Sequence, residues 1–387
     1  MKIGIFGGTF DPPHKGHKTA VRAARDALDL DQVYVIPTGQ PPHKTAAEDT
    51  PGAKARAHMV SLQFTNEPRV DVLDVELQRE GKSYTIDTVR YLRERHPDAM
   101  LYLIMGTDMF LGLEQWREVD LLMQMVTPVV FARTIGDHAA ILAQLEHMRK
   151  TYGIESRFIE HAIVDISSSQ VRKALKNRQG ADLVNDAVYV EIVRNGYYGA
   201  KLDIAWLREH VCAMQPERAA HIRSTEEEAA RLAIRWGADV NLAREAALLH
   251  DVTKGEDQES HLIMCRKYDM IPYSGVGESE KLLHAQTGAG LARAEFGVCD
   301  AVCDAIECHT TGKANMALLD KILYLADKIE PTRKGEAIQE VRKLAYVDLD
   351  ETLLSCLRLS LAKFDAKGIT PHPRTRETIT WYVEKKK

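Results

Sequence analysis

Hydrophobic periodicity switches once along this chain, near Asn195-Gly196, and one layered architecture cannot satisfy both halves. Before that point short apolar runs alternate with amphipathic stretches. The runs are Ile3–Phe6, Gln32–Ile36, Arg69–Val72, Met100–Met105, Thr127–Ala132 and Ser156–Ile159; the stretches include His17–Leu28, Ala53–Phe64 and Thr85–His96. Such alternation predicts an α/β unit, a parallel sheet with helices on both faces. After Leu202 no strand pattern recurs, and apolar residues follow helical spacing, as in Ala229-Leu232-Ala233-Trp236 and Leu318-Ile322-Leu325-Ile329. The expected organisation is an α/β domain over residues 1–198 and an all-α domain over 199–387, with Gly196–Lys201 as a short linker.

A chain of 387 residues suits two to three domains and buries a large core without staples. Lys+Arg is 51 against Asp+Glu 56, a net charge of −5, which offers no electrostatic footprint for nucleic acid or an anionic membrane. No apolar run approaches the roughly 18 residues of a membrane span. The opening Met1-Lys2-Ile3-Gly4-Ile5-Phe6 is too short and too polar for a secretory signal. All six cysteines lie at or after Cys212, which argues against a disulfide scaffold and for a reducing, cytoplasmic setting. Cys299, Cys303 and Cys308 have the spacing of helix-buried thiols, with Cys308 core-facing and His309 turned to a cleft.

The first strand runs into Gly7-Gly8-Thr9-Phe10-Asp11-Pro12-Pro13-His14-Lys15-Gly16-His17, and a helix follows. Glycines let backbone amides approach a bulky anion, and the helix starting near Gly16 points its positive end there. His14 and His17, three apart, face one side and can donate to phosphate oxygens in a phosphoryl-type transition state. Pro-Pro-His-Lys recurs at Pro41–Lys44 after the second strand, and loops at the carboxyl ends of parallel strands line one crevice. Lys44 then reaches the same ligand, or is an exposed loop lysine. Ile166-Ser167-Ser168-Ser169-Gln170-Val171-Arg172 reads as a helix N-cap, or as a second phosphate cradle with Arg172 one turn in. Asp108 of Gly106-Thr107-Asp108 binds ribose or an amine, or caps a helix; Trp116 is core or a stacking surface.

Together these stretches resemble the (T/H)xGH nucleotidyltransferases. Over residues 1 to about 198 the chain is similar to the bacterial nicotinate-nucleotide adenylyltransferase family, with Pro41–Lys44, Ser83-Tyr84-Thr85, Gly106–Asp108 and Trp116 in family order. The resemblance implies a Rossmann-like domain in which nicotinate mononucleotide attacks the α-phosphorus of ATP in line, with Mg²⁺, giving deamido-NAD and pyrophosphate. It implies that His14, His17 and Arg172 stabilise phosphates, that Gly7, Gly8, Thr9, Phe10, Gly106, Asp108 and Ser168 hold ATP, and that Lys44, Thr85 and Trp116 line the nicotinate side. One departure stands out: Thr134-Ile135-Gly136 follows Arg133 where family members often carry proline and glycine, so Arg133 is left without a role.

The helical half scatters His221, His250-Asp251, His284, His309 and Asp327 over or beside helical stretches. His250 and Asp251, about 100° apart, can enter one cleft. A carboxylate can bridge two cations while imidazoles complete each shell. Asp327 sits one turn from Leu323 and Tyr324, where a carboxylate needs a cation or hydrogen bonds. Each residue alone is as well explained as a satisfied or exposed side chain; the set points to metal. Arg218–His221, Leu249–Lys254, Leu282–His284, Glu307–Gly312 and Leu325–Pro331 resemble, in order, the HD superfamily of metal-dependent phosphohydrolases, and over roughly residues 202–385 its symmetrical diadenosine-tetraphosphatase branch. That resemblance implies two metal ions, iron or another divalent ion such as manganese, with Asp251 bridging, His221, His250, His284, His309 and Asp327 completing the shells, and Lys254 and Arg333 facing phosphates.

The expectation is a bifunctional enzyme acting on ATP, nicotinate mononucleotide and diadenosine tetraphosphate, with no nucleic-acid or membrane partner and with homo-oligomerisation left open. Two alternatives stand beside it. In them the first half instead uses nicotinamide mononucleotide, and the helical half cleaves other nucleotides or serves as a non-catalytic nucleotide-binding regulatory module.

Overall fold

The computed structural model describes residues 1–40, 49–160, 165–272 and 280–385. It divides into two compact units, Met1–Lys201 and Leu202–Lys387. In the first unit the elements run β1 (Lys2–Gly8), α1 (Lys15–Leu28), β2 (Gln32–Pro37), α2 (Ala53–Gln63), β3 (Val70–Val72), α3 (Thr85–Arg95), β4 (Met100–Gly106), α4 (Thr107–Leu111), α5 (Val119–Met125), β5 (Thr127–Phe131), α6 (His138–Tyr152), β6 (Arg157–Ile159), α7 (Ser168–Lys176) and α8 (Asp186–Arg194).

All six strands are parallel, in the order β3-β2-β1-β4-β5-β6. This is the doubly wound Rossmann order, whose direction of winding reverses between β1 and β4. Ile5 pairs with Leu103 across that seam, so the chain leaves β1 at Gly8 and β4 at Gly106 on the same edge. The central strands are apolar on both faces because both are covered. Alternate residues of β4 and β5 feed opposite layers. Leu103, Met105 and Val130 pack with Ile86, Val89, Leu92, Phe110 and Ile141 on one side. Ile104 and Val129 pack with Ala20, Val21, Val60 and Phe64 on the other.

The second unit is helical throughout its described residues: α9 (Ile204–Met214), α10 (Ala219–Trp236), α11 (Val240–Leu249), α12 (Gln258–Lys267), α13 (Glu280–Phe296), α14 (Asp300–Cys308), α15 (Leu318–Ile329), α16 (Glu336–Leu344), α17 (Leu349–Ala366) and α18 (Pro373–Glu384). Its core is built from small and branched residues of α10, α11, α14 and α15, among them Ile222, Leu232, Ala246, Ala247, Ile306 and Leu323, all fully buried. Ala-rich faces let these helices approach closely.

The stretch Gly196–Lys201 is more than a linker. Tyr197–Gly199 form a turn of 3-10 helix, the Tyr198 ring is wholly buried, and Lys201 N donates to Leu175 O at 3.0 Å, which closes the end of α7. Cys303 and Cys308 are buried as their spacing predicts, but Cys299 is exposed because it stands at the N-cap of α14, outside the helix. Among the described residues no helix is long and apolar enough to cross a membrane.

Candidate functional site

The carboxyl ends of β1, β2 and β4 open into a cleft lined by Gly7, Gly8, Thr9, Thr38, Ser83, Thr85, Met105 and Trp116. A Cβ on Gly7 would meet nothing nearer than Ile36 O at 4.0 Å, so this glycine keeps space open at the end of β1. Gly8 does different work: its Cβ would lie 3.2 Å from the Phe10 ring. That ring is 2 % exposed and packs edge-on to Phe6 and His17, in the core rather than in the cleft. Trp116 resolves its two readings by being both, half-buried against the core and lining the cleft.

His14 caps α1 and His17 lies in its first turn. The backbone N–H of His14 donates to His17 Nδ1 at 3.1 Å. An accepting Nδ1 in a neutral imidazole leaves the proton on Nε2, so His17 presents a donor there. The two rings stack at 3.6 Å between centroids. Burial, with the Arg133 charge, lowers the His14 pKa from the usual 6.5 to about 4. Burial, then His14 and Arg133, holds His17 well below its ordinary value as well.

These shifts set an expected pH dependence. The unfolded chain protonates His14 near pH 6.5 and the folded protein only near 4. Between those values the unfolded state binds more protons, so stability is complete above 6.5 and is lost as pH falls. Calorimetry from pH 7 to 4.5 should show a falling melting temperature, with a shallower slope in His14→Asn, which keeps a good N-cap residue. Parallel slopes would contradict the neutral buried pair.

The N-terminus of α7 meets the same loop. Ser167 is the actual cap: its Oγ accepts from Gln170 N at 3.2 Å, and its N–H donates to Gln170 Oε1 at 2.7 Å. Ser168 Oγ donates to Pro12 O at 2.9 Å, and Arg172 donates to Asp11 O and lies 3.5 Å from Asp11 Oδ2. Residues more than 150 positions apart in the chain are thereby joined. Asp108 caps nothing; its carboxylate pairs with Arg133 Nη1 at 2.9 Å. Gly106 passes beneath Arg133, whose Nε would lie 3.4 Å from a Cβ there. Arg133 is thus a residue of the site that sequence reasoning set aside. The available signal was its place at the carboxyl end of a strand, not the residues after it. Lys44 lies outside the described residues.

In the second unit the six proposed ligands converge. His221 comes from α10, His250 ends α11 and Asp251 follows it, His284 comes from α13, His309 ends α14, and Asp327 comes from α15. Asp251 Oδ2 lies 3.3 Å from His250 Nε2 and 3.6 Å from His221 Nε2. Asp251 Oδ1 lies 3.2 Å from His284 Nε2 and 3.6 Å from His309 Nε2. Each carboxylate oxygen therefore faces its own pair of imidazoles. Asp327 Oδ1 joins the first set, 3.2 Å from His221 Nε2. Two groups able to hold a metal ion result, His221-His250-Asp251 and Asp251-His284-His309, with Asp251 common to both.

The outer contacts suit metal ligation. His250 Nδ1 donates to Ala247 O and His309 Nδ1 to Ile306 O, each at 2.6 Å, which leaves both Nε2 atoms with a free lone pair. His221 Nδ1 lies 3.2 Å from Glu330 Oε1. Facing Nε2 atoms then stand 3.3 Å apart in both pairs, His221 with His250 and His284 with His309. Nε2 atoms so close suit imidazoles that face a common cation. The donor set of imidazole and carboxylate suits iron, zinc or manganese. The residues present therefore fit the divalent ions that such a domain holds.

The buried carboxylates dominate the local electrostatics. Burial would lower the His221 pKa, but Asp251, Asp327 and Glu330 outweigh it and push it up to about 9. Burial lowers His309 to about 4. Burial alone would raise Asp251 and Asp327, yet the histidines around both, and Lys328 beside Asp327, hold them well below the carboxylate range.

Four cations surround the carboxylates. Arg218 pairs with Asp251, Lys254 Nζ lies 3.3 Å from both of its oxygens, and Lys328 Nζ and Arg333 Nη2 lie 2.6 and 2.7 Å from Asp327. Lys254 and Arg333, expected to face phosphates, here pair with Asp251 and Asp327. Arg218, Lys328 and the fully buried Glu330 were not singled out, although each lies within three residues of a proposed ligand.

Residues 5–174 match the cytidylyltransferase-like family, and residues 218–332 match the HD domain. The probable nicotinate-nucleotide adenylyltransferase of Shouchella clausii (strain KSM-K16) is 41% identical over 199 residues, 51% of this chain and 97% of that one. The probable nicotinate-nucleotide adenylyltransferase of Clostridium novyi (strain NT) is 38% identical over 178 residues, 46% of this chain and 88% of that one. Among solved structures, a predicted HD superfamily hydrolase involved in NAD metabolism from Clostridium acetobutylicum is 31% identical, with a TM-score of 0.43, covering 47% of this chain and 97% of that one. By these matches the chain belongs, through its first unit, to the nicotinate-nucleotide adenylyltransferase family, and it carries an HD domain in its second.

Proposed function

We propose that the protein is a bifunctional enzyme. The first unit transfers the adenylyl group of ATP to nicotinate mononucleotide. A phosphate oxygen of the mononucleotide attacks the ATP α-phosphorus, the bond to the β-phosphate bridge breaks, and pyrophosphate leaves as deamido-NAD forms. The observation that carries this reading is the His17 tautomer, a neutral Nε2–H donor fixed by the His14 amide at the start of the helix that follows β1. Such a donor stabilises charge on the α-phosphate without having to lose or gain a proton. His14 and Arg172 add donors around the phosphates. Gly7, Gly8, Thr9, Gly106, Asp108 and Ser168 hold ATP, Phe10 through its backbone. Thr85 and Trp116 line the mononucleotide side with Lys44, and Mg²⁺ accompanies ATP.

The second unit hydrolyses diadenosine tetraphosphate to two ADP. The carrying observation is Asp251, whose two oxygens face two separate histidine pairs. Metal ions held by Asp251, Asp327 and the four histidines would supply a water of lowered pKa and a clamp on phosphate oxygens. The protein's own part is to fix the imidazole tautomers, hold both carboxylates ionised and present Arg218, Lys254, Lys328 and Arg333 to a polyphosphate.

One purified sample tests both halves, with and without chelator. Nicotinate mononucleotide should be adenylylated at least about tenfold faster than the nicotinamide analogue, a one-group discrimination. Diadenosine tetraphosphate should give ADP alone, and only without chelator. Faster nicotinamide use, or AMP with ATP as products, would replace the corresponding assignment.

A further inference from the structure

Adenylyl transfer joins two separately bound molecules, so the relative placement of their subsites sets the rate. In this cleft the two flanks leave neighbouring strands. Gly7 and Gly8 end β1 with Thr9 just after it, and Thr38–Gly39 follow β2. Arg56, from the first turn of α2, reaches both. Its guanidinium donates through Nη1 to Thr9 O at 2.5 Å and through Nη2 to Thr38 O at 2.8 Å and Gly39 O at 3.1 Å. Arg56 is only 4 % exposed.

Three main-chain carbonyls on two loops are thus gathered by one planar fork. A lysine, with a compact charge and no fixed fork, cannot span them in the same way. In a trans peptide the C=O and the next N–H point in opposite directions. Carbonyls drawn to Arg56 therefore turn the amides of Phe10, Gly39 and Gln40 away from it. Gly39 is also held tightly, since a Cβ there would lie 2.5 Å from Glu76 O. The buried charge is balanced by the Asp11 carboxylate, which opposes the effect of burial. Asp11 is the same carboxylate that lies 3.5 Å from Arg172 and accepts from Thr50 Oγ1 at 3.2 Å. Arg56 and Arg172 share one anionic anchor.

We propose that Arg56 is a positioning residue for adenylyl transfer, clamping the loop after β1 to the loop after β2 and so fixing the ATP side of the cleft against the mononucleotide side. This rests on the nucleotidyltransferase reading of the first unit. Arg56 touches main chain, not substrate, so its removal separates the two subsites without emptying either.

The test is steady-state kinetics with both substrates on the full chain, alongside melting temperatures. Arg56→Lys should lower kcat by about 50-fold while each KM stays within about threefold. In Arg56→Ala, added methylguanidinium should recover kcat by about tenfold, and it should recover nothing in a His17→Asn variant. A kcat for Arg56→Lys within about threefold of wild type overturns the proposal and leaves the function reading intact. So does methylguanidinium that restores the melting temperature of Arg56→Ala but not its kcat. Wild-type protein that adenylylates neither mononucleotide removes the function reading, and this proposal with it.

Discussion

His17→Asn should lower adenylyl transfer by about 10²- to 10³-fold, the usual cost of deleting one preorganised donor to a developing oxyanion. The asparagine Oδ1 can take the place of Nδ1 and still accept from the His14 amide, the contact made at 3.1 Å in the native protein. What it removes is the Nε2–H. His17→Gln makes the converse change, since its amide nitrogen reaches toward the Nε2 position while the cap acceptor is lost. Gln should therefore retain at least about ten times the activity of Asn. Steady-state rates of pyrophosphate release measure both. Equal losses would mean that the residue matters as a cap of α1 rather than as a donor to phosphate. Hydrolysis of diadenosine tetraphosphate by the same preparations should be unchanged, because no residue of the second site depends on α1.

Asp251→Ala should strip the second unit of metal and abolish its hydrolysis, a loss of about 10³-fold or more. The reason is electrostatic as well as geometric. Asp251 is fully buried and answers four imidazoles, Arg218 and Lys254 at once. Without it, two cations and four nitrogen donors share a pocket whose remaining central carboxylate, Asp327, already pairs with Lys328 and Arg333. Elemental analysis of purified protein should find about two metal ions per chain in wild type and fewer than about half of one in the variant. Lys254→Ala, by contrast, should keep its metal and lose affinity for substrate, because its ammonium faces the carboxylate from outside the histidine shell. Equal metal in Asp251→Ala and wild type would contradict the shared-carboxylate site. Adenylyl transfer should persist in both variants.

The six strands were readable because a sheet covered on both faces demands continuous apolar runs, and Ile3–Phe6 and Met100–Met105 have no other use. The Gly7–His17 segment was readable as the turn from the first strand into the first helix because glycines and prolines interrupt both periods there. The HD ligands were readable only as an ordered set, since a lone His284 or Asp327 carries no signal. The place of Arg133 was not legible from the Thr134-Ile135-Gly136 that follows it, because its partner is Asp108, just past the end of the neighbouring strand. The linker reading missed Tyr198 because its surroundings include Asp11, Arg56 and Arg172, which act on its hydroxyl and lie nowhere near it in sequence.

Local order along the chain determined element types and the change from an α/β to a helical unit, because period and turn residues act over a few neighbours. Only the tertiary structure decided how Ser168 and Arg172 meet Pro12 and Asp11, which oxygen of Asp251 serves which histidine pair, and that Arg56 grips two loops at once. Those facts depend on the winding of β1 against β4 and on the packing of α10, α11, α13, α14 and α15. Contacts between residues that far apart are set by how whole elements stack, and no local pattern encodes a distance.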